Sequence, residues 1–355
     1  LALLLHRMMA VVFIAGLSAL LVPLAPHRPT IRMCAAGQAP TGSEQIQVSS
    51  AAASIQKTLA EGEATCVASL GYEVVGRAGS GAYGSVLLAR SAEGDDVAIK
   101  LAHHPAPHLA IEAGVLRAMS GEAGFPSLRS HREAVGGSGL DAVVMERLGP
   151  CVHDVWQSTT SGTSFDGPTV LRLGRGILTC LRTLHEVGYV HNDVKPANCL
   201  YGLPGTPRAD EVHLIDFGLT TPTPDADAPP TAAAPADGSP PQPEGTPMFA
   251  STAVHAGEPP RPVHDVESLV YCLAYLAAGS LPWERKPPSR AAFMKRRMLT
   301  DGCSTLLDSC AAERLTENVH AEATVEALQA VWAEVVAAQE EGDSVDYDAC
   351  LEALS

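Results

Sequence analysis

The chain has 355 residues, of which 46% are apolar and 5% aromatic, and its formal net charge is −16. A chain of this length can bury a sizeable core, as one large domain or two smaller ones. The acidic balance argues against nucleic acid as a partner, because no basic stripe compensates for it. The nine cysteines form no CxxC pair and the thirteen histidines no HExxH motif, so the sequence predicts reduced, mostly buried thiols and no structural zinc.

The first part of the chain, residues 1–60, has the composition of a leader or a disordered segment. Residues 8–24 are almost wholly apolar and suit the core of a signal peptide or a short anchor. An acid-poor stretch rich in Ser and Ala follows, so the segment predicts secretory or plastid import. A mistranslated upstream region is the open alternative, and it would leave a cytoplasmic protein. Membrane contact is expected only if residues 1–25 remain as an uncleaved anchor.

Two predicted strands, residues 72–76 and 85–90, flank a glycine-rich turn. The glycines of this turn are Gly79, Gly81 and Gly84. Glycine lets backbone amides approach phosphates closely, and Val86 would cover an adenine ring. A strand follows the turn where a dinucleotide-binding fold would have a helix, which excludes that fold. An ordinary tight hairpin is the alternative.

Residues 96–100 predict the next strand, and it ends in Lys100. Because the glycine turn lies one strand earlier, Lys100 is the expected contact to the nucleotide phosphates. The helical pattern over residues 108–116 offers Glu112 as its acidic partner. A solvated helix carboxylate is the competing interpretation of Glu112.

Residues 140–145 predict a buried strand that leads into a Gly-Pro pair at residues 149–150, which marks a hinge between lobes. The backbone of Glu146 and Leu148 is expected to pair with adenine, and Met145 to close the pocket behind it. An apolar stripe at helical spacing follows over residues 170–184 and predicts a core helix.

A loop with three functional side chains comes next, at residues 191–200. Asp193 can accept a proton from a hydroxyl, Lys195 can neutralise a migrating phosphoryl group, and Asn198 can offer an oxygen to a divalent cation. The spacing D-x-K-x-x-N is typical of the catalytic loop of protein kinases. Asp216, in an Asp-Phe-Gly motif after an apolar strand, is the expected second ligand for Mg²⁺.

Residues 221–244 are rich in Pro, Ala and Thr and contain no Lys or Arg, which predicts a flexible insertion. A helix that is apolar on nearly every side is then predicted from Asp265 to Leu281 and belongs inside a lobe. Asp265 is expected to fix the backbone of the catalytic loop. Further helices are predicted from about Glu317 to Leu354.

Together these motifs resemble a protein kinase of the casein kinase I group, which includes the vaccinia-related and tau-tubulin kinases. Residues 108–112, 145–150, 245–251, 265–269 and 279–283 carry the group-level similarity, and the resemblance covers residues 71–354. It implies an α+β, bilobal kinase fold over residues 61–355. The small N-lobe, an antiparallel sheet with one helix, would span residues 61–148, and the mainly helical C-lobe residues 149–355.

The resemblance implies a monomeric serine/threonine kinase that transfers the ATP γ-phosphate to hydroxyl groups of protein substrates. The implied catalytic residues are Asp193, Lys195 and Thr246, and the implied Mg²⁺ ligands are Asn198 and Asp216. The implied ATP-binding residues are Gly79, Gly81, Gly84, Val86, Ala98, Lys100, Glu112, Met145, Glu146, Leu148 and Leu200.

Two residues depart from the pattern of the family. Asn192 stands where most kinases have an arginine that grips a phosphate on the activation segment, although vaccinia-related kinases also lack it. Met248 stands where casein kinases I have an arginine that helps to recognise phosphate on the substrate, so a preference for phosphorylated substrates is open. A pseudokinase that binds ATP without turnover is the alternative function. A small-molecule kinase is disfavoured by the intact Gly245-Thr246 pair.

Overall fold

The computed structural model describes residues 61–81, 84–223, 245–301, 321–341 and 344–355. The leader predicted for residues 1–60 lies outside these ranges, as do residues 224–244 of the predicted insertion and the start of the predicted C-terminal helices. Within the described ranges, no helix has both the length and the apolar character needed to cross a membrane.

The N-terminal lobe contains a five-stranded antiparallel sheet with the strand order β1-β2-β3-β5-β4. Its elements in chain order are α1 (Glu61–Ser69), β1 (Tyr72–Gly81), β2 (Gly84–Ser91), β3 (Asp96–His103), α2 (Pro107–Ala118), β4 (Leu128–Arg132) and β5 (Leu140–Glu146). Strand β2 alternates half-buried and buried residues over most of its length, and β3 does so over its first half, which is the period of a sheet with two different faces. This arrangement confirms the predicted N-lobe.

Each face of the sheet has its own cover. Cys66 and Val67 of α1 pack with Leu87, Ile99 and Val144 of the strands in a small core. On the other side, buried residues of α2 join the large core that continues into the second lobe. The helix α1 is therefore an integral layer of the N-lobe.

The C-terminal lobe is mainly helical, as predicted. Its helices are α3 (Val152–Thr160), α4 (Gly167–Glu186), α5 (Thr252–Ala256), α6 (Pro262–Ala278), α7 (Pro288–Asp301), α8 (Ala321–Glu341) and α9 (Tyr347–Ala353). Its short strands are β6 (Tyr189–Val190), β7 (Cys199–Tyr201), β8 (Val212–Leu214) and β9 (Thr221–Pro222). The apolar stripe of α4 is buried, and every residue of α6 after Pro262 is buried.

Two predicted boundaries were wrong. Helix α6 begins at Pro262 and ends at Ala278, because proline suits the first turn of a helix and Gly279 takes a left-handed φ of 81° just after the last turn. The predicted insertion begins too early, because Thr221 and Pro222 form β9 and pair with β6.

A buried carboxylate joins three helices of the C-terminal lobe. Glu267 of α6 accepts hydrogen bonds from the Thr252 N–H (2.7 Å), the Tyr271 hydroxyl (2.6 Å) and the Gln339 amide (2.8 Å). Burial raises the pKa of Glu267 above its usual value, although these hydrogen bonds oppose the shift. The network links α5, α6 and α8.

We expect Glu267→Ala to lower the melting temperature by several degrees. The substitution leaves the buried Thr252 N–H and Tyr271 hydroxyl and the half-buried Gln339 amide without this acceptor, and each buried donor left unpaired costs roughly 1–3 kcal/mol. Circular dichroism melting measures the change. Glu340→Ala, which removes an exposed carboxylate from α8, is the matched control and should melt like the wild type. Equal melting of all three proteins would contradict the structural role of Glu267.

Candidate active site

Asp265 of α6 fixes the backbone of the catalytic loop, as predicted. Its carboxylate accepts hydrogen bonds from the backbone N–H groups of His191 (2.6 Å) and Asn192 (2.9 Å). The Nε2 atom of His185 lies 2.9 Å from the same carboxylate. Burial alone would raise the pKa of Asp265, but the bonds from His185 and from the loop outweigh it and the pKa is lowered. The loop is therefore held by an ionised, fully enclosed group.

His191 joins this loop to the strand that carries the Asp-Phe-Gly motif. Its side chain is fully buried, and its Nε2 atom lies 3.1 Å from the Ile215 carbonyl oxygen. Its Nδ1 atom accepts a hydrogen bond from the Asp193 N–H at 3.2 Å. The ring also packs edge-on against Phe217, with 5.3 Å between centroids. Asp193 and Asp216 are thereby held in a fixed relation to each other.

The three predicted catalytic residues meet in one place. The Thr246 hydroxyl lies 3.0 Å from Asp193 Oδ1 and 3.0 Å from Lys195 Nζ. Lys195 Nζ also contacts Asp193 Oδ2 directly. This close approach requires Gly245, whose φ is 86° and where a Cβ atom would stand only 3.0 Å from the Asn192 carbonyl oxygen.

Asn198 and Asp216 present oxygen atoms that suit Mg²⁺. The Asn198 NH₂ group donates to Asp193 at its carbonyl (2.9 Å) and its carboxylate (3.1 Å), which leaves Oδ1 as the free acceptor atom of the amide. Asp216 supplies a carboxylate with a partly exposed side chain. In the described ranges, no group of three or more His, Cys, Asp or Glu side chains could hold a metal alone. The donor set therefore fits Mg²⁺ bound together with phosphate oxygens.

Lys100 lies between two carboxylates. Its Nζ atom is 2.8 Å from Glu112 of α2 and 2.6 Å from Asp216. Burial alone would lower the pKa of Lys100, but the two carboxylates outweigh it and raise the pKa. In the same way, burial would raise the pKa of Asp216, and the Lys100 charge lowers it. Glu112 is thus a buried partner of Lys100 rather than a solvated carboxylate.

A cavity of about 580 Å³ lies between the two lobes. Most of the residues predicted to bind ATP line it: Gly79, Val86, Ala98, Lys100, Glu112, Met145, Glu146, Leu148 and Leu200, with Asp216 beside them. Gly149 closes the hinge tightly, because a Cβ atom there would stand 2.4 Å from the Gly202 carbonyl oxygen. The sequence analysis did not single out Leu88, Pro126, Ala197 or Ile215, which are also in the lining.

Three details of the predicted nucleotide site need correction. Gly81 and Gly84 line a separate cavity, which they share with residues of α1 and α2. Gly84 faces β3, since a Cβ atom on it would stand 1.9 Å from the Leu101 carbonyl oxygen. The predicted backbone contact of Glu146 with adenine is restricted to its carbonyl oxygen, because its N–H donates to the Ser127 carbonyl at 2.9 Å.

Asn192 occupies a junction between the catalytic loop and the segment after Asp-Phe-Gly. Its side-chain NH₂ group donates to the Leu219 carbonyl (2.9 Å) and to the Thr221 hydroxyl (3.0 Å). Its φ of 69° is in the left-handed region, which asparagine tolerates better than most residues. An amide thus occupies the position where the resemblance implies an arginine in most kinases.

Sequence reasoning missed Lys295 of α7. This lysine is fully buried, and its Nζ atom donates to the carbonyl oxygens of Pro247 (2.9 Å) and Ala250 (2.6 Å). The Nζ atom also lies 4.9 Å from the centroid of the Tyr271 ring and 5.2 Å from that of the Trp283 ring. The sequence could have indicated that Lys295 is buried, because it lies on the same face of the helix as Ala291 and Met298, which are both core residues.

Comparison with known proteins agrees with this geometry. The family described as "Protein kinase domain" matches residues 72–326. A casein kinase 1-like protein of rice (Oryza sativa subsp. japonica), HD16, is 30% identical over 237 residues. That alignment covers 62% of this chain and 32% of the rice protein, so the chain spans about a third of its relative. The chain belongs to the protein kinase family, and its similarity within that family is to the casein kinase I group.

Proposed function

We propose that this protein transfers the γ-phosphoryl group of ATP to serine or threonine hydroxyls of protein substrates. The observation that carries the proposal is the contact of Asp193, Lys195 and Thr246 beside the interlobe cavity. It supplies a proton acceptor, a fixed positive charge and a hydroxyl group that aligns both. Phosphoryl transfer needs little more than such positioning and charge neutralisation.

The chemistry follows from these positions. The acceptor hydroxyl oxygen bonds to the γ-phosphorus while the bond from that phosphorus to the oxygen of ADP breaks, and the hydroxyl proton passes to Asp193. Lys195 neutralises charge on the transferring group, and Lys100 holds the other phosphates. Asn198 and Asp216 would hold Mg²⁺, which supplies charge neutralisation at the phosphate oxygens.

The preference for serine and threonine rests on Thr246. Its hydroxyl bridges Asp193 and Lys195 and fills the space beside the carboxylate. Lys195 and a hydroxyl residue that bridges it to the aspartate are what the family resemblance implies for a serine/threonine kinase. The pseudokinase alternative loses support because each group that the reaction requires is present and within contact distance of its partner.

We expect Asp193→Asn and Lys100→Met to abolish nearly all phosphoryl transfer while the fold persists. Asparagine cannot accept the hydroxyl proton as a carboxylate does, and methionine removes the charge that positions the phosphates. Initial rates with radiolabelled ATP and a casein substrate measure the effect, and melting curves report the fold. Asp210→Asn, on an exposed aspartate, is the matched control. A folded Asp193→Asn protein with near-normal rates would contradict the proposed mechanism.

Thr246→Ser should keep most of the activity, and Thr246→Val should lose most of it, because only serine retains the bridging hydroxyl. The loss should be on the order of 10²-fold in kcat, the scale of one positioned catalytic group. Peptides that differ only in a Ser, Thr or Tyr acceptor give the specificity of each variant. Comparable rates for Thr246→Val and wild type, or a preference for the Tyr peptide, would contradict this part of the proposal.

We also expect the enzyme to be active without phosphate on its activation segment. Asn192 already binds Leu219 and Thr221, and an amide cannot neutralise a phosphate. The test is to express the protein in bacteria, treat it with phosphatase, remove the phosphatase and compare initial rates with untreated enzyme. Similar rates are expected. A large drop, reversed by autophosphorylation on Thr220, Thr221, Thr223, Thr231 or Ser239, would contradict the expectation.

A further inference from the structure

The helix α1 lies before the segment that matches the kinase family and is nevertheless built into the N-lobe. The match begins at residue 72, whereas α1 spans Glu61–Ser69. Its Cys66 and Val67 are at most 1% exposed in the core under the sheet. The connection to β1 is a tight turn in which the Gly71 N–H donates to the Ala68 carbonyl at 3.0 Å. The position of α1 relative to β1 is therefore fixed.

One carboxylate on this helix contacts both arms of the glycine-rich hairpin. Glu63 Oε2 lies 2.6 Å from Arg77 Nη2, and its Oε1 lies 3.3 Å from Arg77 Nη1. The Ser85 hydroxyl donates to the same Oε1 atom. Arg77 belongs to β1 and Ser85 to β2, so the two strands share one acceptor. The geometry is a forked pair of arginine and carboxylate, the stronger form of a surface ion pair.

These contacts lie next to residues that face the nucleotide cavity. Arg77 comes two residues before Gly79, and Ser85 directly precedes Val86, and both Gly79 and Val86 line the cavity. Side chains alternate across a strand, so Ser85 turns toward α1 while Val86 turns toward the cavity. A change in the position of Glu63 would therefore shift Gly79 and Val86, which line the interlobe cavity.

A glycine-rich hairpin has more backbone freedom than other hairpins, and part of any nucleotide's binding free energy must order it. A contact that orders the hairpin beforehand lowers that cost. We propose that Glu63 is a positioning residue for nucleotide binding: through Arg77 and Ser85 it braces the glycine-rich hairpin over the phosphates. This inference rests on the proposed function, since it assumes that the interlobe cavity binds ATP.

The charge of Glu63 makes the prediction distinctive. A carboxylate near the phosphates repels them, so its loss through Coulomb forces alone would strengthen nucleotide binding. Loss of the contacts that order the hairpin would instead weaken nucleotide binding. Glu73→Gln removes an equal charge from an exposed position on β1 and serves as the matched control.

The experiment measures the dissociation constant of Mg·ATP for the full chain by calorimetry, together with KM and kcat. Glu63→Gln should raise the dissociation constant and the KM for ATP about threefold to tenfold, the scale of one ordinary hydrogen bond. The KM for the peptide, kcat and the melting temperature should change little. Arg77→Gln should have a similar effect, and the double variant should lose no more than either alone.

Unchanged nucleotide affinity in folded Glu63→Gln and Ser85→Ala proteins would overturn the inference, as would a lowered melting temperature with unchanged affinity. If Glu63→Gln fails to fold, Ser85→Ala decides, because it keeps the ion pair and removes only the contact to β2. A wild-type protein that binds ATP without transferring phosphate would contradict the proposed function, while the binding comparison would still decide the role of Glu63.

Discussion

Asp265 and the backbone of the catalytic loop form the contact on which the active site depends. The loop contains an acceptor, a cation and an amide that act together only at fixed distances, yet short loops have no regular hydrogen bonding of their own. Two backbone N–H groups of the loop donate hydrogen bonds to the enclosed Asp265 carboxylate, and these bonds fix the conformation of the loop. Because every residue of α6 after Pro262 is buried, the position of the Asp265 carboxylate is fixed by the packing of the lobe's core.

The site extends from this point through contacts between remote parts of the chain. His191 connects the loop to the strand before Asp216, and Asp216 contacts Lys100, which belongs to the N-lobe. Lys100 in turn pairs with Glu112 of α2. One continuous set of polar contacts therefore runs from the core of the large lobe to the sheet of the small one. The two lobes are coupled by charge as well as by the hinge.

Much of this could be predicted from sequence, because local chemistry and spacing carry the information. The Asp193, Lys195 and Asn198 spacing identified the loop. Short apolar runs predicted the individual strands, and the family resemblance implied the sheet that they form. The features that could not be predicted depend on contacts between residues that are far apart in the chain. Nothing near Lys295 in the chain indicates that it binds the carbonyls of Pro247 and Ala250. The use of the Glu146 N–H by Ser127 likewise depends on which strand edge meets which loop.

Helix α8 is attached to the C-terminal lobe by contacts at its middle and near its C-terminal end. Val331 and Trp332 are buried in the large core, and Arg261 donates to the Ala338 carbonyl at 3.1 Å. These contacts make α8 part of the core of the C-terminal lobe, so it should unfold together with α6 rather than separately.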